Sequence, residues 1–295
     1  MDKNHILQQI LENSDKLAAA DLPEYRYIPL HQKPSPSIAC LEEVMHLLRL
    51  VVFPGFFGTT KEAQPDTIRY YMGVYLEQLY DLLLEQIYRG LCFESEACCD
   101  SKQRASEIAI SFINRIPEIK ALLSTDVKAM LDGDPAATSA SEVIFSYPSI
   151  VAILHQRAAH QLLKLGVPVI PRIITEMAHS KTGIDIHPGA EIGEYFSIDH
   201  GTGVVIGGTA IIGNHVRLYQ GVTLGAKSFR LDEEGLPVDI PRHPIIEDDV
   251  IIYSNTSVLG RITIGKGSVI GGNIWLTHDV PPYSKVLQSR IVEDK

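Results

Sequence analysis

The chain has 295 residues, with 26 Lys and Arg against 36 Asp and Glu, for a formal net charge of −10. That balance argues against nucleic acid or an anionic membrane surface as a partner, because both select clustered Lys and Arg. The length suits two domains, no apolar run is long enough to span a bilayer, and Met1-Asp2-Lys3-Asn4-His5 lacks a signal-peptide core, so a cytoplasmic protein is expected.

Residues 1–180 read as an α-helical domain. Apolar residues at three- and four-residue spacing predict helices over Cys40–Phe53, Asp66–Leu91, Lys102–Leu123 and Glu142–Leu165, punctuated by Pro54-Gly55 and Pro135. Glu77, Leu79, Leu82, Leu83, Gln86 and Ile87 show the amphipathic pattern, with an apolar side suited to packing on a neighbouring helix. Cys40, Cys92, Cys98 and Cys99 all fall in this half, without a zinc-type pairing or a secretory context, so reduced thiols are expected.

Residues 181–295 carry a different regularity. An aliphatic residue recurs at every sixth position through Ile186, Ile192, Ile198 and Val204; a two-residue insertion resets it to Ile206, Ile212, Leu218 and Leu224; after a loop over 226–241 it resumes from Ile246 to Leu276. A second column of small or apolar residues follows four positions later, including Ala190, Phe196, Thr202, Val222 and Ile262. Neither a helix nor a simple strand gives a period of six, whereas a parallel β-helix of hexapeptide repeats does. Its core is a narrow tube with no internal pocket. Any active site therefore lies between coils or between neighbouring solenoids, which makes an oligomer the expectation.

Chemistry-bearing residues gather beside this repeat: Asp185-Ile186-His187-Pro188, Ile198-Asp199-His200-Gly201-Thr202-Gly203, Gly221-Val222-Thr223-Leu224-Gly225 and Pro241-Arg242-His243-Pro244. Together with Asp132-Gly133-Asp134-Pro135-Ala136 upstream, they resemble the serine O-acetyltransferase family, from Asp134 to about Gln288. The resemblance implies a left-handed coil, trimers with active sites in the clefts between solenoids, and helical domains that often join two trimers into a hexamer. It implies transfer of an acetyl group from acetyl-CoA to L-serine at the start of cysteine synthesis, with L-cysteine as a possible feedback inhibitor.

An alcohol is a weak nucleophile unless its proton leaves as the new bond forms, and a histidine suits that task. By resemblance His200 is the general base, and Asp185 orients it and favours its charged form; with about eighteen residues per coil, Asp185 lies nearly one coil before His200 and adjacent coils are expected to bring the two within reach. Arg242 and His243 resemble the family's carboxylate-binding pair, leaving Asp134 and Asp199 for the substrate ammonium; His243 is also a candidate oxyanion donor. Gly225, Ala226, Ser254 and Gly272 match the surface along which the family lays the acetyl-CoA arm, with Lys227, Arg230, Arg261 and Lys266 as candidate phosphate contacts and Trp275 as a candidate adenine or subunit contact. No Ser or Cys stands beside the base, so direct transfer without an acyl-enzyme and without a metal is expected.

The chain departs from the compact members in two places. The 226–241 loop is longer and charged, at Lys227, Arg230, Asp232, Glu233 and Glu234, and suits a mobile cover. The C-terminal tail reads Ile291-Val292-Glu293-Asp294-Lys295, where many members end in an isoleucine that docks into cysteine synthase, so a complex with that enzyme is left open. Two other catalytic readings share the solenoid. A sugar or amino-sugar acetyltransferase needs the base but not a zwitterion-matched set, and a γ-type carbonic anhydrase needs three histidines converging on zinc, for which His187, His200 and His215 occupy unlike positions of their hexads. A non-catalytic assembly solenoid is the third alternative.

Overall fold

The computed structural model describes residues 3–19, 35–59, 64–93, 101–228, 231–232, 234–235, 238 and 240–288. Among the described residues seven helices come first: α1 (Lys3–Ala19), α2 (Ile38–Val52), α3 (Ile68–Phe93), α4 (Ser101–Gly133), α5 (Ala140–Ser146), α6 (Pro148–Lys164) and α7 (Ile170–Thr182). Spacing anticipated α2, α3 and the first part of α4. On α3 the anticipated stripe is buried at Leu79, Leu83 and Ile87 and includes Gln86, whose side-chain oxygen accepts the Ser37 N–H at 2.7 Å beside the N-cap of α2.

Three local features differ from the sequence expectation. Helix α4 runs past Leu123 to Gly133 with Pro117 inside it, because Ile116, Ile119, Leu123, Val127 and Met130 keep one buried face continuous across the lost backbone bond. The stretch expected as one helix over Glu142–Leu165 breaks at Tyr147, which is extended (ψ 120°) ahead of Pro148, the first residue of α6. Helix α7, unanticipated, starts after Val169 (φ 62°) and is closed by Gly183 in the left-handed conformation. Cys40 is a free thiol as expected, but Cys92 is disulfide-bonded, which corrects the expectation of reduced thiols throughout. Cys98, Cys99, Arg230, Glu233 and the tail Ile291–Lys295 lie outside the described residues.

Five coils follow, in a left-handed sense that departs from the usual right-handed crossover of parallel strands. The first holds β1 (Asp185–Ile186), β2 (Glu191–Ile192) and β3 (Ser197–Asp199), and the second β4 (Val205–Ile206), β5 (Ile211–Ile212) and β6 (Arg217–Tyr219). The third holds β7 (Thr223–Gly225), β8 (Ile245–Ile246) and β9 (Ile251–Ile252), the fourth β10 (Ser257–Leu259), β11 (Thr263–Ile264) and β12 (Val269–Ile270), and β13 (Trp275–Leu276) and β14 (Lys285–Val286) end the prism. Strands one coil apart pair in parallel into three faces: β1-β4-β7-β10-β13, β2-β5-β8-β11 and β3-β6-β9-β12-β14. The aliphatic column is buried except at half-buried Ile192, and it continues into the helical core.

Register places the insertion more accurately than spacing did. Ile186 pairs with Ile206 and Asp199 with Tyr219, while the Gly203 and Gly221 amides reach Gly183 and Thr202 at equivalent corners. Four positions therefore separate Asp199 from Gly203 where two separate Tyr219 from Gly221, so the extra residues lie within His200-Gly201-Thr202, before Val204. Val204 is buried two places ahead of Ile206 and belongs to the second column, in which Thr202 was expected; Thr202 is exposed.

The helices are fixed to the first coil by a buried ion pair. Arg157 on α6 forks onto Asp126 on α4 at 2.7 and 2.8 Å, and its remaining donors reach the Ile192 and Gly193 carbonyls; Asp126 also accepts the Phe196 N–H at 3.1 Å. Burial pushes the Asp126 carboxyl up, and the guanidinium and the amide pull against that. Replacing Arg157 with Met leaves a carboxylate buried without its partner and should cost about 3–5 kcal/mol, whereas D126L/R157M should recover part of the loss. Urea denaturation of the two variants measures both effects.

Candidate active site

The expected site residues occupy opposite edges of the first face, β1-β4-β7-β10-β13. The chain enters this face from the third face along one edge and leaves for the second along the other. At the entering edge, the two-residue insertion pushes the corner outward, with His200 at φ 56° between Asp199 and Gly201 (φ 89°), and the imidazole is 75 % exposed. Its Nε2 lies 3.9 Å from Asp199 Oδ1.

Asp134 reaches the same edge from the end of α4. Its carboxylate accepts the Tyr147 hydroxyl and, at 2.8 Å, the Ala136 N–H, and these two bonds, with the nearby His200, hold it below the usual carboxylate range. The reciprocal effect pushes the Tyr147 phenol up to about 12. Asp134, Tyr147, Asp199 and Arg217 line one shallow pocket, and Arg217 donates to the Gly133 carbonyl at 3.0 Å, tying the α4 end to the solenoid. The edge therefore presents two carboxylates and an imidazole beside the Arg217 guanidinium.

The leaving edge is cationic. Arg242 and His243, where the 226–241 loop rejoins the prism, line a 390 Å³ cavity with Asp185, His187, Arg172 and Thr209. Thr209 organises it: its hydroxyl accepts the Arg242 and His243 amides at 2.9 and 3.1 Å, and its own N–H donates to His243 Nδ1 at 3.1 Å. With that lone pair engaged, the neutral ring carries its proton on Nε2 and offers a donor. Burial, then the Arg242, His187 and Arg261 charges, push His243 down to about 4. His187, whose Nδ1 accepts the Gly189 N–H at 2.9 Å, is lowered by burial in the same way. Gly207 makes room for His243: a Cβ there would lie 2.0 Å from its ring.

Asp185 stands with this second group. Its nearest cation is Arg172 Nη2 at 3.9 Å, and Arg172 also pairs with Glu176; Asp185 and His200 of one chain form no ion pair, which departs from the expectation that adjacent coils bring the two within reach. The expected acetyl-CoA residues also divide between the edges. Ser254 and Gly272 touch at the entering edge, where a Gly272 Cβ would meet the Ser254 carbonyl at 3.1 Å, and Gly225 and Ala226 begin the loop at the leaving edge. Two of the cations expected at phosphates are engaged elsewhere. Arg261 clamps the Thr209 and His243 carbonyls at 2.6 and 3.0 Å, and Lys266 lies 3.5 and 3.4 Å from Asp248 and Asp249. His187, His200 and His215 sit on three different edges; among the described residues the one group able to converge on a metal is Glu176, His179 and Asp185.

Tyr147, Thr209, Arg172 and Arg217 carried no motif in the sequence. Their roles come from contacts across up to 84 residues, as from Arg217 to Gly133. The folded His243 pKa lies below that of the unfolded chain, so the unfolded state binds more protons between about pH 4 and 6.5 and this residue subtracts stability as pH falls through that window. Nitrogen-15 imidazole spectra should show His243 neutral with its proton on Nε2 at pH 5.5, and Gly207→Ala should remove that signature by displacing the ring.

No protein-family model matches the chain. A curated serine acetyltransferase of Synechococcus elongatus, described as a plasmid form, is 50 % identical over 269 residues, covering 88 % of this chain and 84 % of that protein. Among solved structures, isoform 3 of the Entamoeba histolytica serine acetyltransferase, in complex with cysteine, superposes with a TM-score of 0.73 at 32 % identity over 99 % of this chain and 95 % of that one. Serine acetyltransferase 1 of the same organism, in complex with L-cysteine, gives 0.74 at 34 % identity over 92 % and 94 %. With half its residues shared along most of both chains, this chain belongs to the serine acetyltransferase family.

Proposed function

We propose that the chain transfers the acetyl group of acetyl-CoA to the hydroxyl of L-serine, giving O-acetyl-L-serine and CoA, in a crevice between copies of itself. The observation that carries this reading is the division of Asp134, Asp199 and His200 from Arg242 and His243 between two edges of one prism face. A zwitterion needs both, and two edges of one face cannot close on each other. Around a three-fold axis, the entering edge of one solenoid meets the leaving edge of the next. Val205 and Trp275, exposed on that face in register with Asp185, supply apolar surface for the contact.

In this crevice Asp134 and Asp199 hold the serine ammonium, and Arg242 takes the carboxylate, which leaves the one N–H of neutral His243 for the reacting carbonyl. His200 removes the hydroxyl proton as the oxygen attacks the thioester carbon, while Asp185 of the neighbouring copy orients the imidazole and favours its charged form. The carbonyl oxygen becomes an oxyanion facing His243 Nε2–H, a donor whose low pKa keeps it neutral and fixed in advance. Collapse breaks the carbon–sulfur bond, and the proton on His200 passes to the departing CoA thiolate. The scheme calls on no metal. Gly225, Ala226, Ser254 and Gly272 leave room for the acetyl-CoA arm from the two sides of the crevice. L-Cysteine, with sulfur in place of the serine oxygen, fits the same groups and is read as a feedback inhibitor. Among the described residues no helix is long and apolar enough to cross a membrane, and the proposed setting is the cytoplasm.

A thiol-release assay tests the chemistry: H200A should lower turnover by about a hundredfold or more with the fold intact. Activity within a few-fold of wild type, or preference for a sugar hydroxyl over L-serine, would show the assignment to be wrong. Mixing tests the geometry. H200A and R242A are each inactive alone, but co-assembled chains should regain about a quarter of wild-type activity, because some crevices then combine the intact edge of each. No recovery from co-assembled chains would place the site within single chains.

A further inference from the structure

A second cavity lies in the helical part, away from the acetyl-transfer residues. Its volume is 240 Å³, and it is bounded by α2, the turn after it, α5, α6 and α7. On α7 it touches Met177 and Lys181, and Arg172 and Glu176, which reach toward Asp185, are not part of its lining.

Its wall is divided by chemistry. Met45, Phe53, Val151, Leu154 and Met177 make an apolar floor, and Arg49, His46 and Lys181 supply cationic or protonatable groups. The Arg49 guanidinium lies over the Phe57 ring, 3.4 Å from its centroid, and neither Arg49 nor Lys181 forms an ion pair among the described residues. His155 uses its Nδ1–H on the Val151 carbonyl at 2.7 Å, and burial pushes its pKa down to about 4, so it adds no positive charge at neutral pH. Glu42 is the single acid of the lining and is exposed at its margin. Arg49 is half-buried, and burial works against its charge. An unpaired cation in such a place is costly, and a planar carboxylate is the partner its forked donors fit.

We propose that this cavity is a binding site for a small organic anion with an apolar body, a short- to medium-chain carboxylate, whose head pairs with Arg49 and Lys181 and whose chain lies on Met45, Val151, Leu154 and Met177. The volume suits such a molecule and excludes a nucleotide or CoA. The charge requirement excludes a neutral alcohol or an amine of the same length as a good ligand.

Calorimetric titration of the full chain with sodium octanoate tests this, with CoA and L-serine present to fill the acetyl-transfer site. One octanoate should bind per chain, with octanol and octylamine at least about tenfold weaker. Arg49→Gln should weaken octanoate by about tenfold or more, and Arg49→Lys, which keeps the charge, should restore most of the affinity. If R49Q does not fold, Lys181→Gln on the surface side of the cavity is read in the same way. No binding, equal binding of octanol and octanoate, or wild-type affinity in the charge-removing variant would overturn the proposal.

Discussion

The site depends on the Asp126–Arg157 pair. A β-helix fixes the residues on its own edges through strand register, but Asp134 arrives from a helix, and a helix end is free to shift unless something locks it to the coil. Arg157 bridges the Asp126 carboxylate to the Ile192 and Gly193 carbonyls, and Asp126 takes the Phe196 amide, so three elements meet at one ion pair. Thr125 adds a bond from the Tyr195 amide at 3.0 Å, and Arg217 holds the last residue of α4 at 3.0 Å. Buried ion pairs give little net stability compared with an apolar pair, and a requirement for one arrangement over others is a reason to keep one. Here that arrangement is the placement of Asp134 beside Asp199 and His200.

The solenoid itself is monotonous, and its chemistry appears where the period fails. The first failure is the two-residue excess at His200-Gly201-Thr202, which lifts an imidazole out of a corner whose counterparts, Gly221, Asn255 and Asn273, stay stacked on the coil. The second is the 226–241 loop, which returns the chain so that His243 lies over Gly207 and against Thr209. These interruptions fall on opposite edges of one face. A strict hexad would place the same small residues on every coil and leave no side chain projecting.

The hexad was legible because each aliphatic residue has one place to go, and strand pairing fixes that place for its neighbours. The insertion was misplaced by a few residues because Val204 is aliphatic and satisfies either register, so spacing alone could not distinguish them. Helix existence was legible where the apolar face was strong, as at Leu79, Leu83 and Ile87. Helix α7 escaped notice because Pro171 and its mixed polar residues dilute the pattern, and Pro117 gave no sign that packing would carry α4 through it. The proposed site residues were read from motifs; the residues that hold them carried no such signal. Tyr147 on Asp134 and Thr209 on His243 are ordinary residues whose importance lies in partners 13 and 34 positions away.

Keeping the two edges apart also solves an electrostatic difficulty. Asp134, Asp199, Arg242 and a histidine placed side by side in one chain would neutralise one another, and a serine zwitterion would then have to break those ion pairs before binding. On the prism each set is held by short-range, mostly uncharged contacts instead: Asp134 by Tyr147 and the Ala136 amide, and His243 by Thr209 and the carbonyl clamp of Arg261. Asp199 keeps His200 at 3.9 Å within its own edge, and the two sets stay apart. In the proposed assembly they meet across a gap that the substrate fills, so the ammonium and carboxylate of serine complete two half-sites and replace no internal ion pair. The separation seen within one chain is thus what would let the proposed oligomeric site be organised before its substrate arrives.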